Sequence, residues 1–298
     1  MKEIFVKAKR LWPLVLLIAL LGTLGPPGVT AQPNPHYLPL VLKNEPRPDV
    51  FRKFPYLLYT GAADSMTILW QAFKTPPGGQ AAIVWGSTAE CSEGKAVVSE
   101  DHSGADEHLF SYTITGRTPG SKTYYQINLD GRQTTGDFRT SLESGAETLT
   151  FYADGDTRTH PEINDAVLAR LRVDVGRNPS DRQTFLLNGG DFINQGMGEA
   201  DWDIEFFNPN YSNIRSVLAS LPILGALGNH EMYSKDSSVD ECAQPARVFR
   251  KYWPYPMYPT NNHFYYSFDY GPVHVSVVDP YTADYTLNTG PQYLKYDI

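Results

Sequence analysis

Residues 221–231, LPILGALGNHE, constrain this chain more than any other stretch: an apolar run bounded by Pro222 and Gly228 stops abruptly on Asn229, His230 and Glu231. Apolar residues that do not alternate suit a strand covered on both faces, as in a mainly parallel sheet. The polar triplet then falls at the strand's carboxyl end, the edge at which open α/β sheets bind ligands. A Gly-Asn-His turn is also the composition of a plain tight loop, so one such block decides nothing. Two more runs end in the same way. Residues 149–153 (LTFYA) lead into Asp154-Gly155-Asp156-Thr157-Arg158, and residues 185–187 lead into Asn188-Gly189-Gly190-Asp191. Strand ends thus deliver acids, an amide and an imidazole. Carboxylate and amide oxygens with an imidazole nitrogen are donors to hard or borderline cations such as Mn, Fe and Zn, and neighbouring glycines let backbone and metal approach closely.

In that order, GDTRT (155–159), GGDFINQG (189–196) and GNHE (228–231) resemble the first signature blocks of the calcineurin-like metallophosphoesterases, with the purple acid phosphatase branch nearest. The resemblance covers most of the chain after residue 31. It implies a pair of metal ions (Fe, Zn or Mn), with Asp156 on the first, Asp191 bridging both, and Asn229 giving its carbonyl oxygen to the second. His230 is then the catalytic group that meets the phosphoryl group or the leaving oxygen. Cations held this way acidify a bridging water to hydroxide and stabilise an in-line displacement on a small phosphate-ester substrate. Monoester, diester and nucleotide substrates remain open.

The chain also departs from the family. Arg158 stands where many members have a histidine, and Asn194 stands where the purple enzymes have a tyrosine. With no tyrosinate, the metal-loaded protein is expected to show no visible charge-transfer band. Asn194 also cannot supply the aspartate that pairs with the motif histidine in phosphoprotein phosphatase relatives. Arg158 reads either as a salt bridge on the following helix or as a substrate-binding group that forks onto phosphate oxygens. A non-catalytic secreted binding protein on a scaffold that has lost ligands is the rival reading.

Residues 1–31 read as a signal peptide: Lys2, Lys7, Lys9 and Arg10 precede an apolar core, and Val29-Thr30-Ala31 suits cleavage. The core is short for a membrane span, so export without a stable span after leader cleavage is the expectation. Residues 32–48 are a proline-rich linker. Residues 49–140 carry short β segments (65–71, 81–85, 109–115, 123–129) separated by turns that include Asp130-Gly131. They read as an all-β sandwich, and TILWQ, ITGRTPGSKTYYQI and FRT resemble a fibronectin type III-like domain, with Trp70 and Tyr125 as core or strand-face residues. From residue 147 to 298 strands alternate with helices, as in an α/β metallophosphoesterase sandwich of mixed sheets flanked by helices. Ile163, Val167, Leu168 and Leu171 predict a helix over 161–173, and 264–270 with 273–279 predict an antiparallel pair around Gly271-Pro272. The family's later histidine blocks have no match after Glu231. The domain therefore reads as partial and truncated at its carboxyl end, metal-poor and inactive as written, with an extended form active.

The formal net charge of -8 argues against a general nucleic-acid binder. Cys91 and Cys242 fall in different expected domains and could bridge or stay apart. Oligomeric state is open. His36, His102 and His108 read as solvated, His274 as a structural strand residue, and His160 as a helix-start residue rather than a ligand.

Overall fold

Alternating segments and doubly apolar segments build different kinds of sheet in the computed structural model, which describes residues 50–104, 107–233, 246–259 and 263–279. These described residues all fall in one compact unit. The stretches read as signal peptide and linker, Cys242 and the segment after residue 279 lie outside the described residues, so whether Cys91 and Cys242 bridge does too.

The amino-terminal β elements are β1 (Phe51–Tyr59), β2 (Met66–Ala72), β3 (Gln80–Gly86), β4 (Gly94–Ser99), β5 (His102–Gly104), β6 (Glu107–Ile114), β7 (Lys122–Leu129) and β8 (Arg132–Arg139). They form antiparallel sheets of order β1-β2-β6-β5 and β4-β3-β7-β8. Alternation in β7 puts Thr123, Tyr125, Ile127 and Leu129 inside. The β7–β8 turn has Asp130 and Gly131 both at positive φ, 49° and 77°, which matches the right-handed twist of the strands it joins. Trp70 stacks on Phe110 at 5.6 Å, and both rings are fully buried, as is Tyr125.

The remaining elements are β9 (Tyr152–Asp154), α1 (Pro161–Arg177), α2 (Pro179–Arg182), β10 (Leu186–Asn188), α3 (Glu199–Asp201), α4 (Ser212–Leu218), β11 (Ile223–Gly225), α5 (Arg247–Tyr252), β12 (Tyr266–Tyr270) and β13 (Val273–Val277). A π-helical turn, Trp202–Phe206, follows α3. Strands β9, β10 and β11 make a parallel sheet with β10 in the middle, and β12 pairs antiparallel with β13. The described residues thus combine antiparallel sheets and one parallel sheet with helices, and no single sheet mixes the two directions. The outer edge of β11 is not left open. The Tyr255 hydroxyl takes the Gly225 N–H and donates to the Ile223 carbonyl, and the Tyr266 hydroxyl donates to the Gly225 carbonyl.

Helix α1 begins on Pro161, whose missing N–H costs nothing at that position. It buries Pro161, Asn164 and Leu168, with Leu171 and Val175 half-buried against the core. Ile163 and Val167 do not face inward as their spacing predicts: they are 58% and 53% exposed. The inner stripe runs through Asn164 and Leu168, and a residue one position earlier on a helix points about 100° away.

Strand β1 joins the β-rich and α/β parts. Tyr56 packs on Phe207 and Trp253 at 5.1 and 5.3 Å, and Tyr59 packs on Tyr270 at 5.2 Å. The Tyr125 hydroxyl reaches the Ala219 carbonyl at 3.0 Å.

Candidate functional site

In the parallel sheet Asn188 is in register with Asp154 on one side and Gly225 on the other, so the strands stop in one row. The three polar blocks leave the sheet at the same edge. Their loops are then tied to one another: Asp156 N–H donates to Gly190 O at 3.0 Å and Gly189 N–H to Asp154 O at 3.0 Å. Buried Asn188 uses its amide twice, donating to Asp154 Oδ1 and accepting from Gly190 N–H, each at 2.9 Å. Burial pushes the Asp154 carboxyl up to about 6, against the pull of that amide.

Asp156 and Asp191 both hold left-handed backbones, with φ of 53° and 57°. Aspartate visits this region more readily than most residues, but each such residue still stores about 1 kcal/mol, a strain that clusters at functional sites. Phe192 anchors the second loop. Its ring is fully buried against Phe206 at 5.2 Å and Trp253 at 5.7 Å, and that burial contributes about 2 to 3 kcal/mol.

Glu231 locks the third block to the second. Its Oε2 accepts N–H groups from Gly228 and Asp191, both at 2.9 Å, and its Oε1 accepts that of Phe192 at 2.8 Å. The side chain is wholly buried; burial pushes its carboxyl up to about 7, with the N–H donors acting in the opposite direction. Packing here requires glycine: a Cβ on Gly228 would fall 2.2 Å from Asp191 Oδ1, and one on Gly190 would fall 2.5 Å from Gly228 N.

Arg158 lies in the loop before α1 rather than on the helix. Its Nε sits 2.9 Å from Asp156 Oδ1 and 3.6 Å from Asp191 Oδ2, so one guanidinium faces both acids. Of the two readings of Arg158, the salt bridge is present, made to the loop acids rather than on the following helix, and the phosphate fork stays a proposal. Asn229 donates its Nδ2 to the Tyr233 hydroxyl at 2.9 Å, which turns its carbonyl oxygen to the other side of the amide. The His230 backbone N–H donates to Asp191 Oδ1 at 3.0 Å, and its Nδ1 lies 2.8 Å from the Asn194 carbonyl. A carbonyl only accepts, so Nδ1 carries hydrogen, and Nε2 makes no hydrogen bond among the described residues. Tyr233 also packs edge-on against that ring at 4.8 Å. Asp156, Asp191 and Asn229 line one open depression of about 230 Å³, with Gly189, Gly190 and Gly228 in its walls. A larger cleft, about 470 Å³, is bounded by Tyr125, Asp137, Leu171 and Val217 and shares no residue with it.

His160 stands at the start of α1 beside Glu162 at 3.2 Å, and His274 pairs with Asp269 across the β12–β13 hairpin at 2.7 Å.

The donor chemistry fits a hard or borderline cation. Two carboxylates already face a positive group, an amide oxygen is left over by its own hydrogen bond, and the glycine walls leave room beside them. Among the described residues there is no group of three or more His, Cys, Asp and Glu side chains placed to hold a metal by themselves. The sequence reading gives Glu231, Asn188 and Tyr233 no part in placing the predicted residues and passes over Glu205; the only signal for Glu231 is its place in GNHE.

No protein-family model matches the sequence, and no curated protein matches it. The fold is similar to solved structures. One is purple acid phosphatase PPD1 from yellow lupin (Lupinus luteus) seeds, with a TM-score of 0.52 and 13% identity over 74% of this chain and 43% of that one. Another is PhoD, with a TM-score of 0.56 and 13% identity over 78% of this chain and 52% of that one. The chain spans about half the length of these structures. Among the described residues no helix is long and apolar enough to cross a membrane. Its architecture is thus similar to that of a purple acid phosphatase and of PhoD.

Proposed function

We propose that the protein is an exported metal-dependent phosphoesterase that hydrolyses small phosphate esters. The observation that carries this reading is the convergence of Asp156, Asp191 and Asn229 on one depression, with His230 fixed at its side. Asp156, Asp191 and the Asn229 carbonyl would hold cations there, Fe, Zn or Mn, and bound cations supply positive charge and an acidified water. The chain's own residues do the rest. Arg158, already between the acids, offers a planar N–H edge to phosphoryl oxygens. His230 keeps Nδ1 on the Asn194 carbonyl and presents Nε2, which when protonated donates to the phosphoryl group or to the leaving oxygen. The β-rich part is read as fibronectin type III-like, and export rests on the leader.

A second reading, a non-catalytic binding protein on a degenerate scaffold, draws on the same Arg158: its guanidinium occupies the carboxylates that a metal would use.

Elemental analysis of the purified protein after loading with Mn, Zn or Fe, followed by a panel of phosphomonoesters and diesters, separates the readings. Asp191→Asn is expected to lose bound metal by about tenfold or more, because a shared carboxylate serves the whole site, and Arg158→Ala to keep its metal and lose substrate affinity. Equal metal content in wild type and Asp191→Asn would remove the assignment. No metal and no phosphate release would remove catalysis by the chain as written, the outcome that its lack of a match to the family's later histidine blocks leads one to expect.

A further inference from the structure

We infer that Glu205 is a positioning residue that sets the spacing of the candidate site from outside it, and that the β-rich part holds Glu205 in place. One carboxylate oxygen, Oε2, accepts the backbone N–H of Thr159 and that of Asn194, each at 2.9 Å. The first loop carries Asp156 and Arg158; the second carries Asp191 and, through the Asn194 carbonyl, the hydrogen bond to His230 Nδ1 at 2.8 Å. A single oxygen thus fastens together loops that leave different strands. The hold acts where it is needed, because Thr159 is β-branched and sits at φ 75°, a backbone such residues rarely adopt unless the surroundings impose it.

Glu205 belongs to the π-helical turn Trp202–Phe206, whose rings Trp202 and Phe206 are buried. Two residues earlier, Asp203 is gripped by strand β1. Lys53 Nζ reaches Asp203 Oδ1 at 2.5 Å and Gln71 Oε1 at 2.6 Å, and Arg52 reaches Asp203 Oδ2 at 2.8 Å. Lys53 is wholly buried, with its ammonium 4.5 Å from the centre of the Tyr252 ring, so the lysine end of this grip is screened from water. Contact therefore runs from β1 through Asp203 and Glu205 to the loops of the candidate site.

The significance for catalysis rests on the reading proposed above, but the hold itself is measurable without it. Amide hydrogen exchange at Thr159 and Asn194 is read in wild type, Glu205→Ala, Glu205→Gln and Lys53→Met, together with Mn2+ affinity by calorimetry. Glu205→Ala is expected to speed exchange of both amides by about tenfold and to weaken Mn2+ binding by a similar factor, since both donors lose their acceptor. Glu205→Gln keeps one oxygen for the same donors and is expected to stay within about threefold of wild type at both amides. Lys53→Met keeps the apolar stem and is expected to speed both amides by about threefold. Unchanged exchange in folded Glu205→Ala overturns the inference, and unchanged exchange in Lys53→Met overturns its link to β1. If the wild type takes up no Mn2+ while the Glu205→Ala amides still open, the metal reading fails and the positioning role stands.

Discussion

The two halves of the described structure are ordered by different means. In the β-rich part, β1 and β6–β8 run eight or nine residues each, and long antiparallel ladders fix the register of their residues. In the α/β part, β9, β10 and β11 are three residues long. Strands that short place little by themselves. The loops beyond them are fixed instead by side chains that accept backbone N–H groups: Glu231, Asn188, Asp191 and Glu205. Apolar packing thus builds the frame, and a few polar acceptors build the site, so the two halves fail under different substitutions.

Glu231→Ala is the largest test of that contrast. It strands the N–H groups of Gly228, Asp191 and Phe192 and is expected to cost about 3 to 5 kcal/mol in urea unfolding. Phe110→Ala, an apolar deletion in the β-rich core, is expected to cost a similar amount of about 3 to 5 kcal/mol. Only the first should open the amides of residues 190–192 under native conditions. If Phe110→Ala opens them equally, the halves are not ordered separately.

Lys53 gives an intermediate effect with a sign that pH reveals. Burial lowers its pKa from the ordinary 10.5 to about 7, against the attraction of Asp203. Between those values the unfolded chain binds a proton that the folded chain does not, so stability rises with pH across that window. Below it, the folded protein must carry a buried ammonium. Lys53→Met, which leaves Asp203 with Arg52, is expected to gain about 1 to 3 kcal/mol near pH 6 and to lose that advantage by about pH 10. A pH-independent difference in melting temperature would mean that the ion pair, rather than desolvation, governs Lys53.

Tyr233→Phe is expected to do least to the fold, within about 0.5 kcal/mol, because Tyr233 is exposed. Its effect belongs to the site: Asn229 loses the acceptor that orients its amide, and metal affinity is expected to fall by about tenfold by calorimetry. A destabilised fold with unchanged affinity would reverse that assignment.

Much of the frame is legible in the chain because apolar runs such as ILG at 223–225 and alternation such as KTYYQINL leave periodic marks. Strand β1 is less so. Its FRKFPYLLY carries Pro55 and buries Lys53, and its register with β2 shifts between Phe51 and Lys53 and again between Lys53 and Tyr56. Strand β8, RQTTGDFR, is polar along most of its length and buries only Phe138. The convergence of the polar blocks can be read from their repeated form. What holds them cannot, since Glu231 and Glu205 pair with backbone N–H groups, which every residue but proline has. Asn194 is the sharpest case. Its side chain lacks the family's acid, yet its backbone carbonyl accepts the hydrogen bond of His230 Nδ1–H.

The hydrogen bonds around Asn188 and Glu231 also bear on how such a chain can drift in length. Asn188 reaches Gly190 N, and Glu231 reaches back to Gly228 N, each over two or three residues. One residue inserted inside either block would shift the acceptor by about 3.8 Å and break the bond. Between blocks the chain runs through α1, α2 and α4, where an added residue falls outside both of these short hydrogen-bonded rings. Tight spacing within blocks and loose spacing between them let sequences that share few residues arrive at one architecture.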